Sequence, residues 1–300
     1  MRFHKVLANA ANYAFSFRAN AIWRTVAAKT HQLRRMLSPA PLLPVALLPV
    51  SFAFGASVEA KLQLIDKQLL EEADKLFDEH KLQELLTLLK SIGSWYSNGD
   101  VLWRVARCEY HLYKTDPNAK DAREKLENAL LLVQKSLELN DNCGPAHKWA
   151  AILLDAVSSL EGTKARIAQL LNVRQHMERA IELTPNDPTS YYLLGNWHFS
   201  CHQVSWIERN IARVLFGALP DADLEVALKM FSKAESLEPG FYSQNELLLA
   251  KTLITLNRDI DKARDHLLNV VKKYENSKNW DDAEAFKEAK TLLQKMGVKM

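Results

Sequence analysis

A hydrophobic period of three to four residues begins near Lys61 and returns in segment after segment to the C-terminus, and no other feature limits the fold as much. Leu62, Ile65, Leu69, Ala73, Leu76 and Phe77 fall on one side of a helix of about 3.6 residues per turn. After a polar break at Asp78 to Lys81, the series Leu82, Leu85, Leu86, Leu89 and Ile92 repeats the pattern. Two amphipathic segments with so short a break read as a helical hairpin. Further pairs follow at 100–114 with 119–140, 145–159 with 163–184, 188–203 with 221–237, and 243–256 with 260–274. A last helix at 280–296 closes the series. The chain holds only nine glycines, whereas strand-rich folds consume glycine at hairpins and bulges. The expected class is all-α.

Punctuation agrees with this reading. Asp100 stands before one helix as a cap, Asp187-Pro188 opens another, and Pro185 and Pro239 end theirs. The second helices of the pairs end alike: Ala180, Leu183 and Pro185 match Ala234, Leu237 and Pro239, and Ser136, Leu139 and Asp141 keep the same spacing. That ending resembles the tetratricopeptide pattern, in which a helix pair carries W-x2-L-G-x2-Y, then A-x3-F and P. Tyr191, Leu194, Gly195 and His198, followed by Ala227, Phe231, Ala234 and Pro239, fit it best. Between His198 and Ala227, however, lie 20 residues more than a repeat of about 34 residues allows. The half at Trp103, Ala106, Arg107 and Tyr110 is looser, with ten extra residues before Ala129. The expectation is a tetratricopeptide-like stack of antiparallel hairpins with elongated repeats and a C-terminal capping helix, folding over 59–300. Such units bury their faces only against their neighbours.

Charge separates this part from what precedes it. Residues 1–58 contain no Asp or Glu but seven basic residues, and the first acidic residue is Glu59. Setting those seven aside leaves 32 basic against 36 acidic residues for 59–300, a net of −4. A mildly acidic domain is a poor match for nucleic acid, whose polyanion requires dense Lys and Arg. The acid-free, Arg-bearing N-terminus reads as a mitochondrial transit peptide or a basic tail. Met36 to Val58 is an uncharged run of 23 residues, long enough to span a bilayer, but Pro39, Pro41, Pro44 and Pro49 break its first half. Residues 42–58 therefore read as a peripheral anchor with membrane contact, or as a linker.

Chemical motifs are scarce. No P-loop, dinucleotide-binding, nucleophile-elbow, H-E-x-x-H or C-x-x-C spacing occurs, and the three cysteines, Cys108, Cys143 and Cys201, lie far apart. His198, Cys201 and His202 stand within one helical turn, a spacing able to ligate zinc, but closed zinc sites take four ligands and no further donor pair offers itself. His198 reads better as the packing residue that the repeat usually fills with an aromatic. The carboxylates Asp281 and Asp282 are expected to face solvent. No cofactor, metal or catalytic residue is expected.

In stacks of this kind the first helix of each pair lines the concave side. Counting from the packing positions places Arg104, Cys108, Trp149, Leu153, Tyr192, Asn196 and Phe199 there, a set more apolar than a solvated surface, as partner sites are. A protein or lipid partner, or the chain's own segments 206–216 or 42–58, would fill it. Two basic stretches, Lys164 with Arg166 and Arg209 with Arg213, offer contacts for an acidic partner or for anionic lipid; their plain alternative is a solvated helix surface.

Trp206-x2-Arg209-x3-Arg213-x-Leu215-Phe216 with Pro220, then Ala227-Leu228-x2-Phe231-x2-Ala234-Glu235 and Pro239-x-Phe241-Tyr242-Ser243-x-Asn245, resembles the regulator of microtubule dynamics family. Leu102-Trp103-Arg104-x-Ala106-Arg107, Ala146-His147-Lys148-Trp149-Ala150-x-Ile152 and Glu161-Gly162-x-Lys164-x-Arg166-Ile167-Ala168 resemble it too, so that the likeness runs in order from about 60 to 275. It implies a non-enzymatic protein associated with tubulin, microtubules and the mitotic spindle, with members also at mitochondria. A related member tethers mitochondria to the endoplasmic reticulum and carries lipid in this type of domain. The net charge of 59–300 requires that any contact with an acidic lattice be local.

Overall fold

A computed structural model describes residues 67–298 apart from 94, 206–208, 211, 215–219 and 278. The chain divides into two compact units, Met1–Leu69 and Leu70–Met300. The leader at 1–58 and the apolar segment at 42–58 lie outside the described residues.

The described residues begin in helix α1 (67–78), followed by α2 (Leu82–Ser91) and a short 3-10 turn at Trp95–Ser97. Then come α3 (Gly99–Thr115), α4 (Ala122–Leu139), α5 (Gly144–Glu161), α6 (Thr163–Leu183) and α7 (Pro188–His202). After the long connection follow α8 (Leu224–Leu237), α9 (Ser243–Thr255), α10 (Ile260–Tyr274) and α11 (Trp280–Lys295). Among the described residues there is no strand. The all-α expectation holds, and every expected helix that falls there is present.

Capping chemistry sets the boundaries that periodicity misplaces. Asn98, not Asp100, caps α3: its side chain accepts the N–H groups of Asp100 and Val101 at 3.0 and 3.4 Å. Asp100 instead sits in the first turn, where its negative charge opposes the positive end of the helix dipole. The helix expected from 119 starts at Ala122, because Asp116 turns back to accept the N–H of Asn118 at 3.3 Å. The helix expected from 221 starts at Leu224, because Asp223 caps it through the N–H of Glu225 at 2.8 Å.

Each helix packs on its neighbours in the chain. Within hairpins α3 pairs with α4, α5 with α6, α7 with α8 and α9 with α10; α4 meets α5, α6 meets α7 and α8 meets α9 across the junctions, and α11 caps α9 and α10. The interior is correspondingly divided. One cluster joins Ala151, Val173, Met177, Leu194, Trp197 and Cys201 across α5, α6 and α7. A second joins Phe199, Leu224, Ala227, Phe231, Leu248 and Leu249 across α7, α8 and α9. A third runs through α9, α10 and α11, from Leu247 and Leu267 to Ala285, Ala289 and Leu293.

The repeat residues have direct packing reasons. Ala180, Ala227 and Ala234 are fully buried where helices cross closely. Gly195 lies under the ring of the fully buried Phe231, so near that a Cβ would stand 2.8 Å from two ring carbons. Glycine and phenylalanine of the motif are thus one steric fit.

Candidate functional site

The first helices of the pairs carry aromatic residues that meet one another across the junctions. Tyr110 of α3 lies 5.6 Å, ring to ring, from Trp149 of α5, and His111 lies 5.7 Å from the same indole. On the next junction Tyr192 of α7 meets Tyr242, just before α9, edge to face at 5.0 Å. Tyr242 donates its hydroxyl to Asp281 of α11 at 3.1 Å. Burial pushes the Tyr110 phenol up to about 12, with the charges of Tyr113, Asp155 and Asp281 adding to it. Burial likewise raises Tyr192, and Asp281 adds to that too, so one carboxylate acts on tyrosines of α3 and α7 alike. The phenols stay protonated at neutral pH, and the Tyr242 hydroxyl is already donated to Asp281.

The residues singled out in the sequence occupy several different settings. Leu153 is fully buried, and Trp149 and Phe199 are 8% and 6% exposed, so these three belong to the packing between helices. Phe199 faces Phe231 at 6.5 Å. Tyr192 and Asn196 are half-buried, Asn196 accepting the Ser200 hydroxyl at 3.1 Å. Cys108 is buried and donates to the Leu82 carbonyl, and burial lifts its thiol to about 12. Such a thiol is no nucleophile at neutral pH.

The cations are mostly engaged inside the chain. Arg104 clasps Asp74 of α1, with Nη2 2.7 Å from Oδ2, and stacks over Trp103 at 4.2 Å. Arg107 joins the same carboxylate at 2.7 Å and covers the Phe77 ring at 3.7 Å. Arg166 makes a two-pronged bond to Asp155 of α5 at 2.8 and 3.0 Å. Arg209, half-buried, donates to the Cys201 carbonyl at 2.8 Å, while Arg213 is exposed. Lys164 is exposed as well.

Local spacing concealed several contacts. Asp281 and Asp282, expected in solvent, bind hydroxyls: Ser243 donates to Asp282 Oδ1 at 2.6 Å and Ser277 to Oδ2 at 2.7 Å. His147 of α5 meets His176 of α6, Nδ1 to Nδ1, at 2.9 Å. His147 Nε2 donates to the Asp141 carbonyl at 2.9 Å, which leaves its Nδ1 as acceptor in the neutral ring. His198 is buried and accepts the Asp223 N–H at 3.2 Å, a packing role that links α7 to α8. Among the described residues, no group of three His, Cys, Asp or Glu gathers where it could hold a metal ion.

Stacked helical hairpins joined through small residues define a tetratricopeptide-like repeat protein. A solved thermophilic TPR protein of Thermus thermophilus superimposes with a TM-score of 0.50 over 74% of this chain and 97% of its own, at 14% identity, a likeness of fold. The sequence profile of the family described as regulator of microtubule dynamics protein 1-3 matches residues 69–297, and the chain belongs to that family. Regulator of microtubule dynamics protein 1 of Mus musculus is 36% identical over 192 residues, 64% of this chain and 63% of its own length. Protein 1 of Bos taurus is 36% identical over 210 residues, 67% of this chain and 65% of its own. Protein 3 of Rattus norvegicus is 28% identical over 244 residues, 80% of this chain and 51% of its own. This chain thus spans less than two thirds of the length of each of these relatives.

Proposed function

We propose that this chain is a non-enzymatic, microtubule-associated adaptor whose helical stack supplies binding surface and no reaction centre. The observation that carries this reading is the family match, which extends over the whole described stack from 69 to 297. With a net charge of −4 over 59–300, contact with acidic tubulin tails must be local. Lys164 and Arg213 are exposed and suited to it, whereas Arg166 and Arg209 are held by Asp155 and the Cys201 carbonyl. Cosedimentation with intact and with subtilisin-trimmed microtubules, at two salt concentrations, tests the reading. Binding should weaken with salt, with tail removal and with Lys164→Glu and Arg213→Glu together. Pelleting indifferent to all three changes refutes the electrostatic contact, and failure to pellet at all refutes the assignment.

The aromatic contacts of the first helices favour a second reading, a mitochondrial adaptor that holds an apolar protein segment or lipid beside them while 42–58 touches the membrane. Native mass spectrometry of the purified chain would then reveal a bound lipid. Imaging the full chain beside one lacking 1–58 separates a mitochondrial address from one on the spindle or in the cytoplasm.

A further inference from the structure

Leu131, Lys135 and Leu139 stand one turn apart along α4 and form a ridge about 12 Å long. Leu131 is 55% and Leu139 49% exposed, large apolar side chains that the stack leaves in water. Tyr96 of the 3-10 turn, 54% exposed, widens the ridge, because the Lys135 ammonium lies 3.1 Å from the centre of its ring. A single exposed leucine is ordinary, but two leucines and a tyrosine gathered round one lysine form the kind of patch that marks an interface. Charge is the second observation. Elsewhere α4 pairs its charges along its own length, Arg123 with Glu127 at 2.7 Å and Lys125 with Asp121 at 2.9 Å. Lys135 and Glu138, three residues apart, are spaced to do the same, yet Lys135 turns onto Tyr96 and Glu138 stays exposed. Among the described residues neither has an ion-pair partner. One exposed face thus holds an unpaired cation and an unpaired anion side by side.

We propose that this face binds a second copy of this chain, with α4 lying antiparallel on α4 of the other copy about a two-fold axis. A face that carries both signs is its own complement. When the axis passes between Ser136 and Leu137, Lys135 of each copy faces Glu138 of the other, and both ion pairs form at once. The same register brings Leu139 of each copy down beside Lys135 and Tyr96 of the other, while Leu131 closes each end. A foreign helix of one charge would satisfy half of this face, whereas a second copy satisfies all of it. The contact is only about two helical turns long, so the pair is a weak one, dissociating in about the micromolar range.

Sedimentation velocity of the full chain at about 1–100 μM tests the assignment, and the mass should move from the 34.1 kDa monomer toward twice that value. Lys135→Glu and Glu138→Lys, each with its fold checked by circular dichroism, should each raise Kd by about tenfold or more, because either change turns both ion pairs into like-charge contacts. Mixed in equal amounts, the two variants should pair about as well as wild type, since the four charges again oppose in sign across the axis. A chain that stays monomeric at every concentration overturns the proposal. So does a wild-type dimer that neither variant weakens, which would be joined through another surface. Variants that each lose the dimer and stay apart when mixed overturn the antiparallel pairing of Lys135 with Glu138.

Discussion

Replacing Gly195 with alanine tests the steric reading of the repeat motif. In an open helix the change would add about 1 kcal/mol of stability, because alanine surrenders less backbone freedom on folding. Here the new methyl would stand 2.8 Å from the Phe231 carbons Cδ1 and Cε1, inside the 3.4 Å at which ordinary contact begins. Phe231 is fully buried among Phe199, Leu224 and Leu249, so the ring can yield only by displacing them. Overpacking of this kind costs about 1–3 kcal/mol, so the two effects leave a net loss of up to about 2 kcal/mol. Urea unfolding followed by far-ultraviolet circular dichroism measures it, with Gly93→Ala as reference, since nothing lies within 4 Å of a Cβ there. The reference should stay within about 0.5 kcal/mol of wild type. In a Phe231→Leu background the Gly195→Ala penalty should shrink by about 1 kcal/mol, the coupling expected of touching residues. A Gly195→Ala chain as stable as wild type, or a penalty unchanged by Phe231→Leu, would show that the glycine is not there to admit the ring.

Three further expectations follow from the ionic and hydroxyl contacts. Burial alone would raise the Asp74 carboxyl, but the hydrogen bonds and charges of Arg104 and Arg107 overcome it and hold its pKa below the usual value. Its stabilisation is therefore complete above the ordinary carboxylate pKa and lost as pH falls through the lowered one; Asp74→Asn should cost about 1–3 kcal/mol at pH 7, read by denaturant unfolding, and leave a shallower acid limb. Burial first, and the charge of His147 second, lower His176, so unfolding takes up a proton and stability should decline as pH drops below the ordinary histidine range. Thermal unfolding at pH 7.5 and 5 should show a larger loss in wild type than in His176→Gln, and equal losses would contradict the Nδ1–Nδ1 bond. Asp282→Ala removes the acceptor for Ser243 and Ser277, at about 1–3 kcal/mol, and hydrogen exchange should quicken in α11 while α5 and α6 keep their protection. Uniform acceleration along the chain would argue against α11 as a separately secured cap.

The fold was legible because its information is local. Leu85 with Leu89, Leu126 with Ala129 and Val133, and Ala263 with Leu267 and Val270 recur at helical spacing, and all are fully buried. Helix starts at 122 and 224 were misplaced only where Asp116 and Asp223 redirect the backbone with their own side chains. The site was less legible. Spacing assigned Trp149, Leu153 and Phe199 to an inner face, but it does not say whether the next hairpin covers that face, and here packing buries all three. Charge followed the same rule: Arg104 finds Asp74 30 residues upstream, and His147 finds His176 29 residues downstream. Pairings between hairpins depend on how the units dock, which no window of neighbouring residues records.

From α5 to α11 the interior divides into three apolar knots, and this division bears on how that part yields to force. Tension applied across α5 to α11 would meet no single keystone, since each knot ties only adjoining helices. The chain should extend in short, separately recoverable steps, lengthening by degrees under load instead of snapping open at one threshold.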